Sequence, residues 1–592
     1  MISTDEKITA PALKTVLARL WKYLYRYKWL LAAAFVMTLA GNLLALAGPR
    51  LSGYAIEALE PGKGRVDFDK VFYYCAVMAV FYAVSALLSY ALSLLMIKLS
   101  QKVAYTIRED AFNKLADLPV GYFDRFQTGD IISRITYDVD VINASLSSDL
   151  IQLSASVITV VGSLAMMLTI SPPMLLVFAL TVPASILFTK YRTKKVKPLF
   201  KERSVKLGEL NGFVEEKISG QKTVKAYNAE ETMKSRFENK NDLAVEAYYR
   251  AEYLGSMVGP SVNFINNISM AMVSVLGTIL YLYAMISIGD VSAFILYSRK
   301  FSGPINEAAN IVTDLQSAVA AAERVFRLID EKPEPADAPD AREVEDPQGD
   351  VALEDVSFGY NGGPQVIRHL SLEAKKGALV AIVGPTGAVK TTIVNLLMRF
   401  YDADSGVIRL DGLDIRGVTR KSLRLSYALV LQDTWLFEAS VFDNIAYAKQ
   451  GATRQEVEDA ARLAGIHEFI AGLPKGYDTV LGGDGSDISA GQKQLITIAR
   501  AMLMDTSLLI LDEATSSVDT RTELQVQAAM KKLMRDKTCF VIAHRLSTVR
   551  EADTILVVNN GEIVEQGSHE ELLEHGGMYA GLFNAQFDGC AG

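Results

Sequence analysis

The chain has 592 residues, half of them hydrophobic, which is more than one core usually serves, so at least two domains are expected. Three scattered cysteines, Cys75, Cys539 and Cys590, exclude a disulfide framework and a thiolate metal cluster. The net charge of −8 gives no support to nucleic-acid binding, because the basic residues are gathered in a few loops between apolar runs, and no nucleic-acid partner is expected.

Residues 29–49 and 71–97 are uncharged apolar runs, each long enough to cross a bilayer as a helix. Lys22, Arg26 and Lys28 precede the first run as in a signal peptide, but that run is too long for an h-region and acids lie upstream. A retained first helix is therefore expected. The uncharged stretch 151–189 is too long for one span and is broken at Ser171-Pro172-Pro173, while Gly289-Asp290 divides the region 253–298. The expected total is six spans. Basic residues crowd before Trp29, between Lys98 and Arg134, and between Lys190 and Arg250. The positive-inside rule then puts both long loops and both termini in the cytoplasm of a multi-pass protein.

The last of these spans is unusual. It carries Arg299, Lys300, Asn306 and Glu307, and a charge at the centre of a span costs about 2.5 to 3.5 kcal/mol on insertion scales. Lys300 and Glu307 are seven apart and share a face, with Arg299 and Asn306 on the adjoining one. A water-filled substrate cavity is expected there; a purely structural interhelical network is the alternative. Residues 331–349 are rich in Pro and acids without hydrophobic periodicity, and read as a linker. The expected division is 1–330, 331–349 and 350–592. Beyond the linker, apolar runs at 378–383, 507–511, 539–542 and 554–558 alternate with helical patterns, the mark of an α/β domain with parallel strands.

In that domain an apolar strand runs into Gly384, Pro385, Thr386, Gly387, Ala388, Val389, Lys390, Thr391 and Thr392. The pattern is close to G-x-x-x-x-G-K-[ST], whose backbone N–H groups wrap nucleotide phosphates while the Lys neutralises charge and the hydroxyl holds Mg²⁺. Val389 stands where the second Gly belongs. A β-branched side chain there is expected to crowd the phosphates, weakening ATP binding or impairing hydrolysis. Ser489 and Gln492 fit a capping box opening an apolar helix, whose free N–H groups suit a phosphate. Asp512 and Glu513 follow four aliphatic residues, where two unpartnered carboxylates would be costly.

These motifs, in this order, resemble the nucleotide-binding domain of ABC transporters, and the membrane half resembles the exporter branch. The likeness implies an α-helical six-span transmembrane domain followed by an α/β P-loop nucleotide-binding domain. It implies that Tyr360 stacks on adenine and that Gln432 touches Mg²⁺ and relays nucleotide state. Ser489, Gly491 and Gln492 resemble the family signature, which faces the phosphate loop of another nucleotide domain and so implies a dimer. By the same likeness Asp512 sits near Mg²⁺ and Glu513 orients or deprotonates the attacking water. Asp519 contacts the partner domain, and His544 reads the γ-phosphate. The segments 122–134 and 214–228 resemble the cytoplasmic loops that dock on nucleotide domains. The stretch around Arg299 is similar to the consensus-site subunit of heterodimeric bacterial multidrug exporters. The expected protein is thus an ATP-driven half-transporter of the bacterial plasma membrane that moves a drug-like compound or lipid, with a different partner subunit favoured over a second copy. A lipid flippase and an ATP-gated or sensing membrane protein are the alternatives.

Overall fold

The computed structural model describes residues 10–59, 66–384, 389–432, 434–482, 488–512, 520–543, 549–559 and 561–588. Its contacts divide the chain into two units, Met1–Ala116 with Gln127–Glu331, and Asp117–Phe126 with Lys332–Gly592.

The first unit is helical. An amphipathic helix α1 (Ala10–Tyr25) precedes α2 (Lys28–Glu57) and α3 (Phe68–Ala116). After α4 (Val120–Arg125), which belongs to the other unit, come α5 (Thr128–Ser133), a π-helical turn Arg134–Asp138, α6 (Val139–Ser147) and α7 (Asp149–Ile170). Then follow α8 (Leu175–Ser219), α9 (Gln221–Ala226), α10 (Glu230–Ser256), α11 (Val258–Leu282) and α12 (Ile288–Ile329). The helices outrun the apolar stretches because burial continues past them. In α3, Leu99, Val103, Ile107 and Ala111 recur every four residues on one buried face. Three of them pack with Val319, Ala322 and Val325 of α12 and with Val16, Leu20 and Leu24 of α1. A second core joins Met167, Phe178, Val273, Phe294 and Tyr297 from α7, α8, α11 and α12.

Among the described residues, 5 helical segments are long and apolar enough to cross a membrane: Lys28–Glu57, Phe68–Ala116, Thr128–Ile170, Pro172–Ser219 and Glu230–Leu282. The break at Ser171 is there, as a 3₁₀ turn over Pro172–Met174. The sixth expected span, α12, is a 42-residue helix outside that group, and its charged residues account for the shortfall. Gly289-Asp290 does not separate two helices as expected. Ser287 caps α12, accepting from the Asp290 backbone, and the Asp290 carboxylate returns a bond to the Ser287 N–H. Asp290 therefore starts the helix. It also pairs with Arg50 of α2 at 2.5 Å. At this crossing only glycine fits: a Cβ on Gly289 would lie 2.3 Å from the Gly53 carbonyl oxygen.

The second unit holds two sheets. One is antiparallel, in the order β2-β1-β4-β5, from β1 (Val351–Phe358), β2 (Ile367–Ala374), β4 (Ser405–Leu410) and β5 (Leu413–Asp414). The other has the order β10-β9-β3-β8-β7-β6, from β3 (Leu379–Val383), β6 (Tyr427–Val430), β7 (Leu508–Asp512), β8 (Thr538–Ile542), β9 (Thr554–Asn559) and β10 (Glu562–Gly567). Its central strands are parallel and buried on both faces, which is why they read as unbroken aliphatic runs. The helices that bear on the site are α13 (Val389–Leu397) and, after the short α14 (Arg420–Leu425), α15 (Val441–Ala446), α16 (Arg454–Leu463) and α17 (His467–Ala471), α18 (Ala490–Met504).

Residues 331–349 have irregular backbone, yet they are fastened. Buried Arg420 bonds to the Pro335 carbonyl at 2.8 Å and to the Asp337 carboxylate at 3.0 Å, and Arg424 bonds to Glu334.

Candidate functional site

The parallel strands end together, and ligands in open α/β sheets bind outside those carboxyl ends. Register makes the edge explicit: Val430 pairs with Leu511, Asp512 with Ile542, and Val383 with Val557. Gly384, Gln432, Asp512 and Ala543 consequently lie along one edge of the sheet. Gly384 is required there by space, since a Cβ would sit 2.2 Å from the Val558 carbonyl oxygen.

The helix α13 opens at Val389, and its N-terminal end carries free N–H groups and a positive dipole. Lys390 is buried, and its ammonium donates to the Gly384 carbonyl at 3.1 Å across the loop. Burial lowers its pKa, while Asp512 at the end of β7 acts in the opposite direction. Thr391 is exposed and Thr392 fully buried. The Tyr360 hydroxyl lies 2.9 Å from the Thr392 hydroxyl and accepts from Asn395 at 3.4 Å, so the strand end that was expected to meet adenine is tied to the helix after the phosphate loop. Gln432 is exposed.

At the start of α18 the capping box forms. Ser489 accepts from the Gln492 N–H at 3.2 Å, and the Gln492 side chain accepts from the Ser489 N–H at 2.9 Å. Ser489 stays exposed while Gly491 is buried against the domain. Pro385, Thr386, Gly387, Ala388, Glu513, Asp519 and His544 lie outside the described residues, as does the side chain of Val389.

Sequence reasoning missed Tyr401. Its ring stands edge-on to Tyr360 at 5.0 Å and packs on Phe358 at 5.5 Å. An aromatic pair, Phe400-Tyr401, after a helix gives no periodic signal; only its place directly behind α13 could have drawn notice.

The polar residues of α12 do not form one cluster. The Arg299 Nε points to the Met270 sulfur of α11 at 3.3 Å, whereas Glu307 accepts from Gln152 of α7 at 2.7 Å. Lys300 is half-buried, and the Asn306 side chain lies outside the described residues. Asn263, Asn266 and Asn267 of α11 line a cavity beside Arg299 and were also missed, although three amides inside an apolar run are a readable anomaly.

Residues 31–305 match the family described as ABC transporter transmembrane region, and residues 367–516 match the family described as ABC transporter. The chain is 41% identical over 575 residues to an uncharacterized ABC transporter ATP-binding protein, YfiC, of Bacillus subtilis, covering 97% of this chain and 95% of that one. It is 47% identical over 519 residues to a fatty acid ABC transporter ATP-binding/permease protein of Mycobacterium bovis, covering 88% and 82%. A solved bacterial Atm1-family ABC exporter with ATP bound superposes with a TM-score of 0.76 at 30% identity, over 94% of this chain and 98% of the other.

Proposed function

Because this chain belongs to the ABC transporter family, as an exporter-type half-transporter that couples ATP hydrolysis to transport, we propose that its cargo is a small amphiphile moved out of the cytoplasm or inner leaflet by alternating access. The observation that carries this reading is the single edge shared by Gly384, Lys390, Gln432 and Asp512, in a chain that among its described residues also holds 5 apolar membrane-length helical segments. The name of the Mycobacterium bovis relative supports a lipid-like cargo. The proposed organisation is a membrane domain over 1–330, a linker over 331–349 and an ATPase domain over 350–592, in a bacterial plasma membrane with both termini cytoplasmic.

The donor set at the edge fits Mg²⁺, a hard cation that takes oxygen ligands. Thr391, Asp512 and Gln432 would hold it, and it would neutralise charge developing on the phosphates. Lys390 supplies a fixed positive charge where α13 already presents free N–H groups. Glu513 orients the attacking water or accepts its proton, and His544 reads the γ-phosphate. Tyr360 bears on the base. Ser489, Gly491 and Gln492 face the triphosphate of a second nucleotide domain, with Asp519 at the joint. One chain has one phosphate loop and one signature, so the working unit is a dimer. A different partner subunit is favoured by the likeness of the α12 stretch to consensus-site subunits.

The test is ATP-driven movement of fluorescent single-chain and two-chain amphiphiles in proteoliposomes, with Glu513→Gln as the inactive control. Transport by the parent chain and none by the variant is expected. Steady ATP turnover without movement of any probe would favour a gated or sensing protein, and exchange between leaflets without release would favour a flippase.

A further inference from the structure

We propose that the cavity between α11 and α12 holds the anionic head group of a single-chain amphiphile, read by Arg299 together with the amides of Asn263, Asn266 and Asn267. The proposal rests on the exporter reading and names the cargo class for it.

The three asparagines fall at spacings of three and four, so they form one stripe on α11. Among the described residues none of them makes a side-chain hydrogen bond. Asn263 and Asn267 are exposed and Asn266 is half-buried, so the stripe offers its amides to water or to a polar ligand and is a costly face for lipid tails. Arg299 faces the same space from α12, and its one hydrogen bond among the described residues goes to the Met270 thioether, a weak acceptor. A guanidinium has five N–H donors, leaving most of them for a ligand. Among the described residues no carboxylate lines the cavity. One cation, several amides and hydroxyls, and no acid select an anion.

Size points the same way. The cavity has a volume of about 190 Å³, below the roughly 300 to 1,000 Å³ that whole drug-sized ligands occupy. It suits a head group. Gly303 lines it, and among the described residues a Cβ there would meet open space. Phe178 of α8 and Met270 of α11 form the apolar part of the wall, against which the start of an attached chain would lie. Carboxylate and phosphate monoester heads share the required chemistry.

The full chain, in phosphatidylcholine nanodiscs, is photolabelled with a diazirine-bearing palmitate and mapped by mass spectrometry. Labels are expected on 263–270 and 298–303, and the methyl ester should label about tenfold less, since the charge-assisted bonds are gone. Arg299→Ala should reduce palmitate labelling by about tenfold or more, and Arg299→Lys should restore most of it. Arg299→Glu should exchange palmitate labelling for labelling by an alkyltrimethylammonium probe, a gain that misfolding does not produce. Competition by dodecyl phosphate as strong as by laurate means that charge alone is read; competition by laurate only identifies a carboxylate. Equal labelling by acid and ester, labels confined to other helices, or indifference to Arg299→Ala would each overturn the proposal. Labelling needs neither ATP nor transport. Loss of transport with labelling intact therefore sinks the exporter reading alone, and the reverse pattern sinks this site alone.

Discussion

The Tyr401 hydroxyl donates to the Asp124 carboxylate at 2.5 Å, and Gly121 of the same short helix has room for no Cβ, which would come 2.9 Å from the Tyr401 ring. The α4 segment is thus seated in the nucleotide unit, although the helices flanking it in the chain belong to the other. Through its ring Tyr401 also touches Tyr360, whose hydroxyl reaches Thr392. Two side chains span the distance from the helix behind the phosphate loop to α4.

Tyr401→Phe keeps the ring and deletes that bond. Stability should fall by only about 0.5 to 1.5 kcal/mol, while the stimulation of ATP turnover by cargo should drop severalfold. Melting curves and ATPase titrations of the two forms check this. Unchanged stimulation would show that α4 is coupled by some other contact.

Glu513→Gln should leave ATP binding intact and slow hydrolysis by about a hundredfold or more, the usual contribution of a positioned base. Equilibrium nucleotide binding and single-turnover hydrolysis separate the two effects.

Val389→Gly should tighten ATP binding and raise turnover, because the substitution removes an isopropyl group from a loop that must approach the phosphates. Affinity and rate are to be measured side by side in the same dimer. Equality of both would show that the loop accommodates valine.

The buried Lys390 predicts a pH response. Its pKa is lowered by burial, against the pull of Asp512, so the ammonium loses its proton at lower pH than a free lysine would. ATP affinity should fall as pH rises through that lowered value, by up to about tenfold per pH unit. The unfolded chain binds this proton more tightly, so the burial penalty on stability is relieved over the same rise. Lys390→Arg, charged throughout, should flatten the affinity profile, read by titrating nucleotide from about pH 7 to about pH 10.

Arg420→Ala should destabilise the full chain by about 1 to 3 kcal/mol in melting experiments, since it removes a buried cation shared by Asp337 and Asp402, which keep only Arg399. Asp337→Asn, at a more exposed partner, should cost about 1 kcal/mol.

The nucleotide edge was legible because it is local: strand, glycine loop and Lys390 are contiguous, and aliphatic runs of β7 and β8 end at Asp512 and Ala543. The seating of α4 was not, because Asp124 and Tyr401 are 277 positions apart and neither lies in a periodic pattern. The segment 331–349 read as a linker from its prolines and acids, and its backbone is irregular. That Glu334 and Asp337 are held by Arg424 and Arg420 depends on a turn far along the chain. In α12, helical spacing says which residues share a face but not what they meet: Arg299 reaches Met270 of α11 and Glu307 reaches Gln152 of α7, and those neighbours are set by how distant helices pack.

The Gly53 and Gly289 contact restricts how the membrane unit is able to deform. Where two backbones touch, there are no side chains to change rotamer and let one helix slide along the other. With Arg50 and Asp290 clamped alongside, α2 and α12 share a pivot: they can rotate about that point but not slip past it. Conformational freedom in α12 then falls further along, at the Gly303-Pro304 pair, where the proline removes a backbone bond from the helix interior. Gly303 also lines the Arg299 cavity, so a bend at this pair would reshape the cavity wall.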